Sequence, residues 1–240
     1  MRTNKIILSL SCILFFCTEC KKDNYPAPDS GIFGALTDGE TNDSLQLKQP
    51  GGGTVRLIEV NKTKYPSVTP IDISVKPNGT YSAANLFADS YKVFPLKANG
   101  PFMYLPGDSI TTTLNSGSRT KVDFKVVPYF RIALTVTDST FSYTVTRSTA
   151  NTGNLTQMIF MISNQPVVND NVSSNQVGSY YTNLWKLNVS NAILGVPQTY
   201  TINFGDTHLA KGDYYFRAGA VGSTSSSYFN YSATIKATVH

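Results

Sequence analysis

Short runs with apolar residues at every second position, each stopped by Gly, Pro, Asn, Asp or Ser, limit this chain's fold more than any other feature. Ile71-Ile73-Val75, Val122-Phe124-Val126, Phe130-Ile132-Leu134-Val136, Phe141-Tyr143-Val145 and Tyr231-Ala233-Ile235-Ala237-Val239 each set their apolar side chains on one face of a strand. An amphipathic helix would repeat about every 3.6 residues, and almost nothing does. Pro77-Asn78-Gly79 is turn chemistry between two runs and predicts a hairpin. The pattern predicts an all-β chain of two tandem β-sandwiches. A strand over Lys121 to Val127 stops at Pro128 and a new alternation starts at Tyr129. The units are therefore expected at residues 30–127 and 129–240, with little linker between them.

The first thirty residues read differently. Arg2 and Lys5 precede a largely apolar stretch, Ile6 to Phe16, so residues 1–19 read as a signal peptide. That stretch is shorter than the roughly 20 residues a spanning helix needs. Polarity returns abruptly at Lys21-Lys22-Asp23-Asn24. Cys20 resembles the lipidated cysteine of a bacterial lipoprotein signal, with Glu19 where a small residue is usual and Cys17 where leucine is commonest. Cys12, Cys17 and Cys20 are the only cysteines, so a chain cut before Cys20 has one thiol, at its first position, and no disulfide. Acyl chains contribute about 0.8 kcal/mol per buried CH₂, enough for several chains to anchor a protein stably. Residues 20–29, with Tyr25-Pro26-Ala27-Pro28, then form a stiff lipidated tether. Ordinary secretion, with Cys20 a bystander, is the plainer alternative.

Two further resemblances concern the sandwiches. Gly31-Ile32-Phe33-Gly34, Thr37-Asp38-Gly39, Asn78-Gly79-Thr80-Tyr81, Leu86-Phe87 and Tyr91-Lys92-Val93 resemble the carboxypeptidase regulatory-like, transthyretin-like sandwich, with Ser90 where glycine is usual. Leu209-Ala210-Lys211-Gly212-Asp213-Tyr214 and the following Tyr215-Phe216-Arg217-Ala218 resemble a fibronectin type III segment, with Lys211 in place of proline. That match implies a corner tyrosine at Tyr214, its hydroxyl bonded to nearby backbone. The order of parts resembles a family of two-domain Bacteroidetes lipoproteins of unknown function, encoded beside glycan importers. The resemblance implies an outer-membrane lipoprotein facing the cell surface or the periplasm, held to the membrane by its N-terminal lipid, with polysaccharide and outer-membrane importer proteins as the expected partners.

Catalytic chemistry finds little footing. His208 and the terminal His240 are the only histidines, too few for a His-centred triad or a multi-histidine zinc site. Asp206 beside His208 reads as a polar turn. Acidic residues are scattered, which does not favour the paired carboxylates of a glycosidase. The oxygen-rich clusters Asp38 to Asp43 and Asn169-Asp170-Asn171 lack calcium-loop spacing, and Gly51-Gly52-Gly53, a flexible hairpin connection on this reading, lacks the lysine and helix of a phosphate loop. No cofactor and no metal is expected. Basic residues are spread along the chain, which sets nucleic acid aside.

Aromatic side chains supply the remaining candidates. Flat rings beside Asn and Thr suit sugars, whose C–H faces stack while their hydroxyls seek partners. Tyr180, Tyr181, Trp185 and Tyr228 are the candidate glycan-binding residues. Trp185 shares parity with Leu187 and Val189 and is expected to point into the sandwich, whereas Tyr180 has the outward parity. Ser44, Ser109 and Ser139 follow aspartates in a pattern resembling the O-glycosylation acceptor of exported Bacteroidetes proteins; Asp-Ser also makes ordinary turns. The expected function is that of a non-catalytic accessory protein holding glycan for an uptake system. A spacer or scaffold contacting importer proteins without binding sugar is the alternative.

Overall fold

A computed structural model describes residues 26–48, 51–61, 67–104, 109–168, 170, 182–204, 209–225 and 228–240. The expected leader and Cys20 lie outside them. Pro26 to Asp29, the end of the expected tether, are exposed and belong to no strand. Among the described residues no helix is long and apolar enough to cross a membrane.

The first half contributes β1 (Ser30–Asp38), β2 (Thr54–Glu59), β3 (Ile71–Ser74), β4 (Thr80–Leu86), β5 (Ser90–Pro95), β6 (Phe102–Tyr104), β7 (Ile110–Thr113), β8 (Arg119–Lys121) and β9 (Phe124–Pro128). One sheet runs β4-β1-β9-β6 with β8 also on β1, and a second runs β3-β2-β5-β7. Alternation sets which side chains meet between them: Ile32 and Leu36 from β1 join Val55, Leu57, Tyr91, Val93 and Val126 in one buried cluster. Each such side chain contributes about 1.5–3 kcal/mol on leaving water. Gly34 is needed for the join between β8 and β9 to press on β1. A Cβ there would lie 1.7 Å from the Val122 carbonyl oxygen.

The second half contributes β10 (Phe130–Thr137), β11 (Thr140–Arg147), β12 (Leu155–Ser163), β13 (Thr182–Asn188), β14 (Gln198–Thr201), β15 (Gly212–Gly222), β16 (Asn230–Tyr231) and β17 (Ile235–Val239). A three-stranded sheet, β10-β11-β14, covers a five-stranded one, β13-β12-β15-β16 with β17 also on β15. Rings fill the space between. Phe160 stacks on Tyr200 with centroids 4.2 Å apart, and Phe141 meets Phe160 and Phe216 edge-on at 5.2 and 5.4 Å. Such pairs add about 0.5–1.5 kcal/mol each beyond burial. Met158 to Ile162 on β12 are buried without alternation, because a further cluster that includes Ile159, Met161, Leu184 and Tyr231 covers the strand's other face.

Three expectations are corrected. Lys76 donates to Thr80 and Gly79 to Lys76, so the turn at Pro77-Asn78-Gly79 exists, with Gly79 at φ 77°. Yet β3 and β4 pair with different strands, and the turn carries the chain between sheets. Gly52 and Gly53 are buried, and a Cβ on Gly52 would lie 2.4 Å from the Lys48 carbonyl oxygen, so the glycines serve close packing and not a flexible hairpin. The run from Tyr231 to Val239 is not one strand: Tyr231 faces the cluster outside β12, whereas Ala237 and Val239 face the core between the sheets. The bond implied for Tyr214 is present, its hydroxyl donating to the Ala210 carbonyl at 2.6 Å.

One residue, Tyr129, separates β9 from β10, and polar contacts reinforce the join. Arg131 on β10 donates from Nε to Asp38 Oδ2, and from Nη2 to Asp38 Oδ1 and Glu40 Oε2, both at 2.8 Å. Asn230 accepts from the Phe130 amide at 3.0 Å and donates to the Pro101 carbonyl at 2.7 Å. Arg217 reaches the Leu47 carbonyl, 2.9 Å away. The two halves are fastened at separate points along their contact.

Candidate functional site

β10 and β11 form a hairpin whose two-residue turn, Asp138-Ser139, puts Asp138 at φ 54°, the left-handed conformation that such turns demand and aspartate tolerates. β14 adds to β11. Phe141, Tyr143 and Tyr200 face the core, so the alternate positions face out, and there the sequence is almost all threonine and serine. Thr135, Ser142 and Thr199 stand side by side across the three strands, as do Thr137, Thr140 and Thr201 in the next row. Thr140 and Thr201 bond to each other, Oγ1 to Oγ1 at 2.9 Å.

An open groove of about 580 Å³ lies on this face. Its polar lining is Thr135, Ser142, Thr144, Thr199 and Gln198, and its apolar lining includes Ala133, Leu134 and Pro197. No described lining residue carries a formal charge at neutral pH. Burial, helped by the neighbouring Tyr200, raises the pKa of Tyr143, which completes the lining, so its phenol stays neutral. Among the described residues, the side chains of Ser142, Thr144, Gln198 and Thr199 have no hydrogen-bond partner within the protein. They stand on strands backed by the stacked rings of Phe160 and Tyr200, so their positions are set before any ligand arrives.

A second cavity, about 370 Å³, sits where the halves meet, lined by Asp38, Ser44, Arg131 and Asn230 among others. Asp38 and Arg131 there are engaged with each other. Burial alone would raise the pKa of Asp38, but hydrogen bonds from Arg131 and the Glu40 amide outweigh it and hold the carboxyl below its ordinary value. The oxygen-rich stretch Asp38 to Asp43 thus receives a guanidinium. Among the described residues no group of three or more His, Cys, Asp or Glu is placed to hold a metal ion.

The residues singled out from sequence are dispersed. Tyr180, Tyr181, Asp206 and His208 lie outside the described residues. Trp185 is half-buried and packs on the second core with Leu187 and Val189, as its parity indicated. Tyr228 is half-buried, and its neighbours Phe229 and Tyr231 pack into the cluster outside β12. Ser44 is exposed and donates to the Asn78 carbonyl; Ser109 is exposed; Ser139 is half-buried in the β10–β11 turn. Of the described candidates, neither Trp185 nor Tyr228 lines the groove. Its hydroxyls were the polar half of the alternation whose apolar half, Ile132-Leu134-Val136 and Phe141-Tyr143-Val145, identified the strands.

Geometry of this kind can be compared with that of known proteins. Residues 30–127 match the N-terminal domain of DUF3823, a family of proteins of unknown function. Solved DUF3823 family proteins share the fold over nearly their full length. The one from Parabacteroides merdae is 23% identical at a TM-score of 0.67, covering 88% of this chain and 99% of its own. The one from Bacteroides ovatus is 18% identical at 0.66, covering 88% and 100%. A Bacteroides uniformis protein named as a candidate carbohydrate-binding protein is 21% identical at 0.67, covering 88% and 100%. At these identities the likeness is one of fold. No curated protein matches the chain.

Proposed function

We propose that this chain is a non-catalytic DUF3823 protein that holds glycan in the groove on β10, β11 and β14, as an accessory lipoprotein of an outer-membrane polysaccharide uptake system, anchored through Cys20. The observation that carries the binding role is the set of unpartnered hydroxyl groups at Ser142, Thr144 and Thr199, fixed on strands around a groove whose described lining is uncharged. Sugars present donors and acceptors at close intervals, and a surface of groups that both donate and accept can meet them. The fold shared with a Bacteroides uniformis protein named for carbohydrate binding supports the same reading.

Affinity electrophoresis tests it. The chain beginning at Cys20 is expected to be retarded in native gels cast with at least one polysaccharide of a broad panel. Thr135→Val, Ser142→Ala and Thr199→Val combined should weaken that retardation by about 10- to 1,000-fold, since each lost hydrogen bond costs roughly 0.5–1.5 kcal/mol. Absence of retardation by every polysaccharide, with the fold intact, sinks the binding role. The fastening of the two halves by Arg131, Asn230 and Arg217 then favours the spacer reading, in which a stiff two-part body sets the distance between membrane and importer.

A further inference from the structure

Resting on that reading, we infer that the groove selects neutral glycan chains over anionic ones and takes them lying across the strands. The residues of β10, β11 and β14 include two charged side chains, Arg131 and Arg147, and both are engaged elsewhere. Arg131 is held by Asp38 and Glu40, and Arg147 donates to the Gly153 carbonyl at 3.3 Å. Neither arginine lines the groove, so among the described residues no cation there pairs with a uronate or sulfate. An anion brought against Ala133 and Pro197 loses hydration and gains no countercharge. A neutral sugar ring meets no such cost: its C–H groups cover those apolar side chains while its hydroxyls replace water on Ser142, Thr144 and Thr199.

Direction follows from register. Thr135, Ser142 and Thr199 are direct cross-strand partners, so their hydroxyls recur about every 4.8 Å perpendicular to the strands, the interval between neighbouring strands. Along a strand, same-face positions recur only about every 6.8 Å, as the outward Thr140, Ser142, Thr144 and Thr146 of β11 do, and Ala133 interrupts the hydroxyls on β10. The closely spaced row runs across, at roughly the length of one sugar ring. The described groove offers no exposed aromatic ring, so recognition there rests on this row and on the chain's extended shape.

The experiment compares one backbone in two charge states. The chain beginning at Cys20 is run in native gels containing galactomannan, xyloglucan or soluble starch, and in parallel gels where the primary hydroxyls of the same polysaccharide have been oxidised to carboxylates; polygalacturonate is a further anionic probe. Retention by a neutral polysaccharide, weakened about tenfold or more by its oxidation, is the expected result. Thr144→Lys should recover binding to the oxidised form, by supplying the missing cation at the groove. Equal or stronger retention by the oxidised form or polygalacturonate, abolished by Thr199→Val, would overturn the preference for neutral chains while leaving glycan binding intact. Retention by neither class removes both conclusions together.

Discussion

Arg217→Ala should lower the unfolding free energy by about 3–5 kcal/mol, read by urea denaturation of the full chain. Arg217 is 2% exposed, and although the nearby Asp170 carboxylate favours its charge, among the described residues its guanidinium has no carboxylate hydrogen-bonded to it. It donates instead to three carbonyls: Ser232 from Nε at 3.1 Å, Val168 from Nη1 at 2.9 Å and Leu47 from Nη2 at 2.9 Å. Its carbon centre lies 4.4 Å from the centroid of the Tyr231 ring, a contact that favours the charged form. Burial pulls its pKa down to about 10, so the group stays protonated at neutral pH. Truncation leaves three buried acceptors without donors, each costing roughly 1–3 kcal/mol if unrelieved. Because Leu47 belongs to the first half and Ser232 to the second, the loss also loosens the join. Arg217→Lys should recover only part of the loss, since one ammonium cannot span three carbonyls that a planar fork reaches together. Unchanged stability in Arg217→Ala would mean that these carbonyls find water, and that the residue does not fasten the halves.

Arg131→Ala should cost about 2 kcal/mol at neutral pH, within the range for hydrogen bonds to charged groups. Asp38 is almost fully buried at the end of β1, whereas the Arg131 side chain keeps 21% of its exposure, which places the effect below that of Arg217. Linkage gives the pH dependence. Asp38 titrates lower in the folded chain than in the unfolded one, so its contribution is fully present above the unfolded carboxyl value, about 3.9, and is lost as pH falls through the folded value below it. The stability gap between wild type and Arg131→Ala should therefore be constant from pH 5 to 7 (values set by the unfolded carboxyl, about one unit above it) and close under stronger acid. A gap that persists unchanged at acid pH would assign the effect to packing of the arginine stem.

Much of this fold was legible because alternation is a local property. The inward residues of β10 and β11 are those the period of two selects, and Tyr214 is bonded as its local motif implied. What escaped was set by distance along the chain. Whether β3 and β4 share a sheet depends on β1 and β2 outcompeting a local hairpin. The run Met158 to Ile162 does not alternate because both of its faces are covered, which no window of sequence reveals. The partners of Asp38 and Arg217 lie 93 and 170 residues away, at Arg131 and Leu47. The groove was missed for another reason. In sequence the outward threonines of β10 and β11 are indistinguishable from ordinary solvated positions; only their alignment with Thr199 across β14 makes them a surface.

Hydrogen exchange of the full chain, with and without the polysaccharide that retards it most, tests the central claim most directly. The account predicts slowed exchange of backbone amides at residues 133–135, 142–144 and 198–199, with the junction residues Asp38, Arg131 and Asn230 unaffected. Protection confined to the junction, or to the segment around Tyr180 and Tyr181, would contradict it and move the glycan to another part of the molecule.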